Sequence, residues 1–333
     1  MRDDPSVMQG VSVVLPNHNH AVELRTSLAC IVGQTRPFDE IVVIDDASTD
    51  ESLAVIEEFA ALHPNLKLLR NEERLGVPKT VNRGLNAAAC DYVVLASADE
   101  KIDAHMCEAL MGAVAAYPGL RLAVSQYSEW NPADGAVVTY DHASPLGMWY
   151  AQGEAPVFIS PSELGVLLMK RFVWLSINTA LFRRDALLEA GGLDPALRWH
   201  SDWFAIYSIA LRHGFCAVSR SLACFRVSPH SYSAVGMRDR SAQAQVMVNM
   251  LNKLNAPEHA DMLRAITEAP AALSPFVRDI IPVLARRPAW YPLLFPLARW
   301  WFGEVLKGRR PGLLARLVDR HRIRRHQRGK SSA

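Results

Sequence analysis

Four short apolar runs, with helical stripes between them, set the pattern of the first hundred residues. Val11-Ser-Val-Val-Leu15 reads as a buried strand and stops at the polar loop Pro16-Asn-His-Asn19. Val22, Leu24, Leu28 and Ile31 recur at helical spacing and predict a helix from Ala21 to about Val32. Ile41-Val-Val-Ile44 is a second strand, closed by Asp45-Asp-Ala-Ser-Thr-Asp50. Ser48 or Thr49 can cap the helix that follows, whose stripe is Leu53, Ile56, Phe59 and Ala60. Leu66-Lys-Leu-Leu69 is a third strand, Lys79 to Ala89 a third helix and Tyr92-Val-Val-Leu95 a fourth strand. Unbroken apolar strands alternating with helices predict a Rossmann-like α/β domain, its mostly parallel sheet flanked by helices. Such sheets bind ligands at the carboxyl ends of their strands. The polar clusters Pro16–Asn19, Asp45–Asp50 and Ser97–Asp103 all fall there, so they are expected to form one site.

Further on the pattern loosens. It is irregular from Val137 to Ile159, and Ser160-Pro-Ser-Glu163 has the cap, first-turn proline and capping-box acid of a helix start. Ile177 to Gly192 reads as strand, turn and helix, Trp203 to His213 as a helix ending at Gly214, and Phe215 to Val227 as strand and turn. Past Gly236 the pattern is of helices broken by prolines, with no strand signal and no internal repeat anywhere. The expected division is a domain over residues 1–235, with halves at about 10–105 and 106–235, and a helical extension over 236–333.

Composition narrows the class. Half of the 333 residues are apolar and 21% are charged, which supports a sizeable core and excludes general disorder. The mean hydropathy of +0.03 is far below that of a multi-span membrane protein. Pro288 to Leu306 is the longest apolar stretch near the C-terminus, but Arg299, Glu304 and its prolines exclude a simple membrane span. Met1-Arg-Asp-Asp-Pro lacks the basic and apolar parts of a signal peptide. Five cysteines without a Cys-x-x-Cys pair read as reduced thiols of a cytoplasmic protein.

The ordered set Val11–Asn19, Gln34-Thr35, Glu40–Asp50, Asn71–Gly76, Asn82 with Gly84, Gly191-Gly-Leu-Asp194 and Ser201-Asp-Trp203 resembles family 2 glycosyltransferases of GT-A fold. It covers about two thirds of the chain and leaves the C-terminal third uncovered. The resemblance implies a site for a nucleotide-diphospho-sugar donor made by Pro16, Asn17, His18, Asn19, Asp46, Asn82, Ser97, Ala98 and His230. Asp46 matches the carboxylate that accepts from the base, and His18 stands where an aromatic ring stacks on it. Taken alone, the Asp45-Asp46 pair is also what a helix start favours electrostatically. Asp99 matches the acid that ligates Mg²⁺ or Mn²⁺, whose charge offsets a diphosphate leaving group.

Two departures from the family pattern stand out. The first acid of the expected Asp-x-Asp is Ser97, and the acid expected before Asp202 is Ser201. Asp202 matches the base that deprotonates an acceptor hydroxyl in an inverting transfer, and the helix after it is expected to keep it ionised. Asn178, Thr179 and Arg183 lie on the stretch that the resemblance assigns to the acceptor, a saccharide or lipid-linked saccharide. The two serines also motivate a different class, a catalytically degenerate binding or scaffold module. A nucleotidyltransferase would want a Gly-rich loop after the first strand, where this chain has Pro16–Asn19.

Charge is unevenly placed. From Val305 onward there are ten Lys/Arg against one acid, Asp319. Trp290, Tyr291, Phe295, Trp300, Trp301 and Phe302 precede this basic run. Aromatics followed by a basic segment suit a peripheral anchor at a membrane surface, here the inner face of the cytoplasmic membrane. The same residues also fit aromatics packed on the catalytic domain and an unstructured tail. Nucleic acid is not expected, because no nucleic-acid-binding motif accompanies the arginines.

Overall fold

The computed structural model describes residues 10–132, 135–139, 155–229 and 231–307. Its first elements are β1 (Val11–Asn17), α1 (Ala21–Val32), β2 (Glu40–Asp45), α2 (Ser52–Leu62), β3 (Leu66–Arg70), α3 (Val77–Ala87) and β4 (Tyr92–Leu95). These match the predicted alternation to within about two residues. Next come β5 (Lys101–Ile102), α4 (Met106–Ala116), β6 (Leu122–Trp130), β7 (Val137–Thr139), β8 (Val157–Ile159), α5 (Pro161–Lys170), β9 (Ala180–Arg183), α6 (Arg184–Glu189), α7 (Ser201–His213), β10 (Phe215–Arg226) and α8 (Tyr232–Gly236). Four helices follow: α9 (Arg240–Leu254), α10 (Ala260–Glu268), α11 (Val277–Leu284) and α12 (Tyr291–Leu306).

The chain divides into two compact units. One is Met1–Pro161 with Trp174–Arg238, the other Ser162–Val173 with Asp239–Ala333. All of α5 but its first residue therefore goes with the C-terminal helices, a grouping of distant stretches that local periodicity does not reveal.

In the first unit the strands run in the order β3-β2-β1-β4-β9-β6-β10-β5. Pairing is parallel from β3 through β4, with Val13 opposite Ile41 and Val94. Then β9 enters antiparallel to both β4 and β6, and β6 runs parallel to β10. Val11, Val13, Leu15, Val43 and Val94 are buried among the helices' apolar stripes, which is why these strands read as continuous apolar runs. Two motif residues are explained by packing alone. A Cβ at Gly84 would lie 2.5 Å from side-chain carbons of both Ile44 and Val14, so only glycine lets α3 approach the sheet this closely. Glu40 is buried and accepts from Ser12 Oγ, from Lys67 Nζ (both 2.5 Å) and from Ala89 N, pinning β1, β3 and the turn before β4.

The predicted cap of α2 differs. Neither Ser48 nor Thr49 caps it; the Asp50 carboxylate accepts from Ser52 N at 3.0 Å. Ser48 Oγ instead receives Asn19 N and the Asn17 side chain, stitching the β1 loop to the β2 loop. In the second unit, where the sequence reads as helices broken by prolines, α12 runs through Pro296 without stopping. Pro292 stands in its first turn, where a missing N–H costs nothing. Among the described residues no helix is long and apolar enough to cross a membrane.

Candidate active site

The carboxyl ends of β1, β2, β4 and β10 open onto one cleft of about 860 Å³, a size that holds a substrate-sized ligand. Pro16, Asn17, His18, Asp46, Ser97, Ala98, Asp99, Asn178 and Asp202 all line it. Three acids from well-separated stretches, Asp46, Asp99 and Asp202, thus meet in one place.

At the β1–β2 end the geometry is strongly pre-set. Asp45 accepts from Asn17 Nδ2 at 3.1 Å and from Ser48 N at 2.9 Å, locking the strand ends together. Asp46 is buried and accepts from Asn71 Nδ2 (2.6 Å), Leu75 N (2.8 Å) and Gly76 N (2.9 Å). Burial opposes ionisation of Asp46, but these donors outweigh it and hold the carboxyl below its ordinary value. The carboxylate therefore shapes the 71–76 loop as well as facing the cleft. His18 Nδ1 lies 2.7 Å from the Asp46 carbonyl, which accepts from it and fixes the ring. Asn17 Oδ1 is buried with no hydrogen-bond partner among the described residues.

At the β4 end the departure from the family pattern is visible. Ser27 Oγ donates to the Ser97 carbonyl at 2.9 Å, tying α1 to the strand end. The Asn178 amide donates to Ser97 Oγ at 3.0 Å and to Glu100 Oε2 at 2.7 Å. Burial first, then the neighbouring Asp99 carboxylate, pushes the Glu100 carboxyl up to about 8. Glu100 is therefore held protonated at neutral pH, and a divalent cation at Asp99 and Glu100 would offset that repulsion and favour its ionised form. Mg²⁺ in particular is held by one or two carboxylates together with substrate phosphates. Among the described residues no three His, Cys, Asp or Glu side chains converge as a complete metal cage.

On the far wall Asp202 opens α7, its Oδ1 accepting from Trp203 N at 2.7 Å. The helix was expected to keep this carboxyl ionised, and burial works against it. Burial outweighs the hydrogen bonds and pushes the carboxyl up to about 6. At neutral pH it still carries its charge. Ser201 Oγ donates to the Arg198 carbonyl at 2.7 Å, so the serine braces the turn before α7.

Other predicted residues lie off the wall. Asn19 takes a left-handed backbone (φ 56°) and accepts from Thr49 N at 2.7 Å, acting on loop shape. Asn82 exchanges bonds with Leu193, donating to its carbonyl at 2.7 Å and accepting its N–H at 2.8 Å, which pins the Gly191-Gly192 turn to α3. Thr179 is buried and bonds to the Ser176 carbonyl. Arg183 stands opposite Tyr92, at the amino end of β4, paired with Asp185 at 2.9 Å. Its neighbour Arg184 donates to the Leu85 carbonyl. His230 lies outside the described residues.

The cleft also contains residues that sequence reasoning passed over, chiefly Arg74, Arg198 and Tyr232. Both arginines are exposed and have no ion-pair partner among the described residues, and both act electrostatically on Tyr232 together with Asp202. Arg198 adopts φ 47° and ψ −119°, a backbone that favours glycine, and its guanidinium lies 5.7 Å from the Trp199 ring. Nothing in the local sequence signals this, since an arginine in such a conformation is held by its surroundings. Arg198→Gly is expected to raise the free energy of unfolding by about 1 kcal/mol in urea melts, since glycine adopts this backbone freely. A variant less stable than the parent would show that the turn is unstrained.

Comparison with known proteins places this geometry. Residues 12–153 match the glycosyl transferase family 2 model. The uncharacterized glycosyltransferase YibD of Escherichia coli is 33% identical over 101 residues, 30% of this chain and 29% of the relative. The uncharacterized glycosyltransferase alr2836 of Nostoc is 24% identical over 250 residues, 73% of each. The poly-beta-1,6-N-acetyl-D-glucosamine synthase of Staphylococcus epidermidis is 27% identical over 103 residues, 31% of this chain and 25% of that one. The match to YibD and to the synthase thus spans less than a third of either protein. Among solved structures, S. aureus TarS 1–349 in complex with UDP-GlcNAc superposes with a TM-score of 0.56 at 15% identity, covering 90% of this chain and 92% of that one. The mannosyltransferase PcManGT from Pyrobaculum calidifontis, in complex with GDP-Man and Mn²⁺, gives 0.51 at 22% identity over 90% and 86%. These likenesses fix the fold as GT-A, and the stretch that resembles glycosyl transferase family 2 is residues 12–153.

Proposed function

We propose that the first unit transfers a sugar from a nucleotide-diphospho-sugar to a saccharide or lipid-linked saccharide acceptor, with inversion, in cell-surface polysaccharide biosynthesis. The observation that carries this reading is the convergence of Asp46, Asp99 and Asp202 on one cleft at the strand ends. The nucleotide sugars named with TarS and PcManGT, and the polysaccharide product named for the Staphylococcus epidermidis relative, support it by analogy.

Each residue then has a task. The His18 ring, held by its bond to Asp46, offers a face to the base. The unpartnered Asn17 Oδ1 awaits a donor from the ligand. Asp46 keeps the 71–76 loop in place beneath the nucleoside. Asp99, with Glu100 beside it, would hold Mg²⁺ or Mn²⁺, which when bound offsets the charge of the departing diphosphate. Arg74 and Arg198 supply two further cationic forks to phosphate oxygens. Asp202 takes the proton from the acceptor hydroxyl as its oxygen attacks the anomeric carbon on the face opposite the breaking C–O bond. The aromatic segment and the basic sequence after it support a peripheral position on the inner face of the cytoplasmic membrane.

A second reading, a nucleotide-sugar-binding scaffold without activity, is favoured by Ser97 and Ser201 standing where acids are expected. Calorimetry separates the two. The catalytic reading expects Mn²⁺-dependent binding of a UDP, GDP or dTDP sugar, and an Asp99→Ala variant at least about tenfold weaker in Mn²⁺-dependent affinity. Mn²⁺-independent binding that Asp99→Ala leaves untouched would establish the scaffold instead.

A further inference from the structure

We propose that the outward face of α12 is a docking surface for an anionic lipid bilayer. This deepens the membrane-surface part of the reading above and rests on it. The observation is a helix apolar on two opposite faces. At about 100° per residue, Leu293, Leu297 and Glu304 share one side and are buried in the second unit. Tyr291, Phe295, Phe302 and Leu306 share the other, spaced by four, seven and four residues, with Val305 at the edge. That side faces solvent: Phe295 is 63% exposed, Phe302 58% and Leu306 87%. An ordinary surface helix would carry polar residues there. Tyr291 and Phe295 touch edge to face at 5.5 Å, and Phe302 lies against Trp301 at 5.1 Å, so the face carries two aromatic pairs, one toward each end of the helix.

Charge complementarity selects the occupant. The one acid of α12, Glu304, is buried and bonded to Lys307 Nζ at 2.8 Å, so no free carboxylate faces outward from the helix. Arg286 and Arg287 lead into the helix and Arg299 flanks its exposed strip. The residues after Lys307 carry nine more Lys/Arg and only Asp319 against them. A protein partner could match the apolar strip. An anionic leaflet matches both the strip, through its acyl boundary, and the positive charge that precedes and follows it in the sequence, through its headgroups. Aromatic side chains with basic neighbours suit that interface.

The test uses the full chain and flotation with vesicles of phosphatidylcholine, alone or with about one third phosphatidylglycerol. The intact protein is expected to float with the anionic vesicles, to stay behind with the neutral ones, and to be released by high salt. Phe295→Glu with Phe302→Glu is expected to lower partitioning by about tenfold or more, since two buried aromatic contacts are lost. Both side chains face solvent, so the circular dichroism and melting temperature of the variant should stay with the parent. Phe302→Ser serves as a milder second variant and should give a smaller fall in the same direction. Flotation of the double variant equal to the parent would overturn the α12 face while leaving membrane association through the basic tail intact. Absence of flotation for the intact protein would overturn the membrane reading itself. A dimer that the double variant converts to monomer, with flotation unchanged, would assign the strip to a second copy of this chain. Calorimetric nucleotide-sugar binding, unchanged in the double variant, keeps the site reading separate from all three results.

Discussion

Asp202→Asn is expected to slow sugar transfer by a factor of about 10²–10⁴ while leaving nucleotide-sugar binding unchanged, as removal of a general base does. The pH dependence should carry the same signature. Burial raises the Asp202 carboxyl to about 6, and the base must be ionised to act. The rate should therefore fall as pH drops through about 6, well above the ordinary carboxyl value of 3.8. The sign for stability is the reverse. Ionising a buried carboxyl opposes folding, so as pH rises from about 4 to about 6 Asp202 takes stability away. Asp202→Asn should then melt no lower than the parent at neutral pH, a stability–activity trade at one atom. A profile of kcat/KM with no acid limb between pH 5 and 7 (about one unit either side) would sink the assignment.

Asp46→Ala should be the most damaging single change to the fold of the site. The side chain is 4% exposed, and its loss strands the N–H groups of Leu75 and Gly76 and the Asn71 amide. At about 1–3 kcal/mol for each buried donor left unpaired, a loss of about 3 kcal/mol in urea unfolding is expected, with nucleotide binding falling alongside. Because the folded carboxyl lies below its ordinary value, its contribution is present above about 3.8 and is lost as pH falls through the lowered value. The gap between parent and Asp46→Asn should accordingly narrow in acid. An Asp46→Ala variant of parental stability would show that the 71–76 loop holds without it.

The first hundred residues were legible because strand and helix there are each declared by local periodicity. Buried parallel strands must be apolar on both faces, and the helices between them carry one apolar stripe each. The strand-end clusters followed from topology: a right-handed β-α-β alternation brings the carboxyl ends of β1, β2 and β4 to one side. Beyond β4 this clarity ends. Neither α4 nor β6 was predicted, and β9 finds its place between β4 and β6 although 84 residues separate the end of β4 from the start of β9. No local pattern encodes a pairing made across such a gap.

The site shows the same divide at finer scale. Asp46, Asp99 and Asp202 were assigned on the resemblance to family 2 glycosyltransferases, and the structure brings all three to one cleft. Which of the motif residues face the ligand was not readable. Asn82 and Thr179 turn to backbone partners, and Arg183 sits at the amino end of β4. Asn178 bridges Ser97 and Glu100, and Arg198 enters the cleft on a strained backbone. Patterning along the chain reports what each residue is and which side of its own helix or strand it takes. Burial that lifts Asp202 to about 6, the three donors on Asp46 and the burial of only one of the two apolar faces of α12 arise from neighbours distant in sequence, and their energies exist only once the chain has closed on itself.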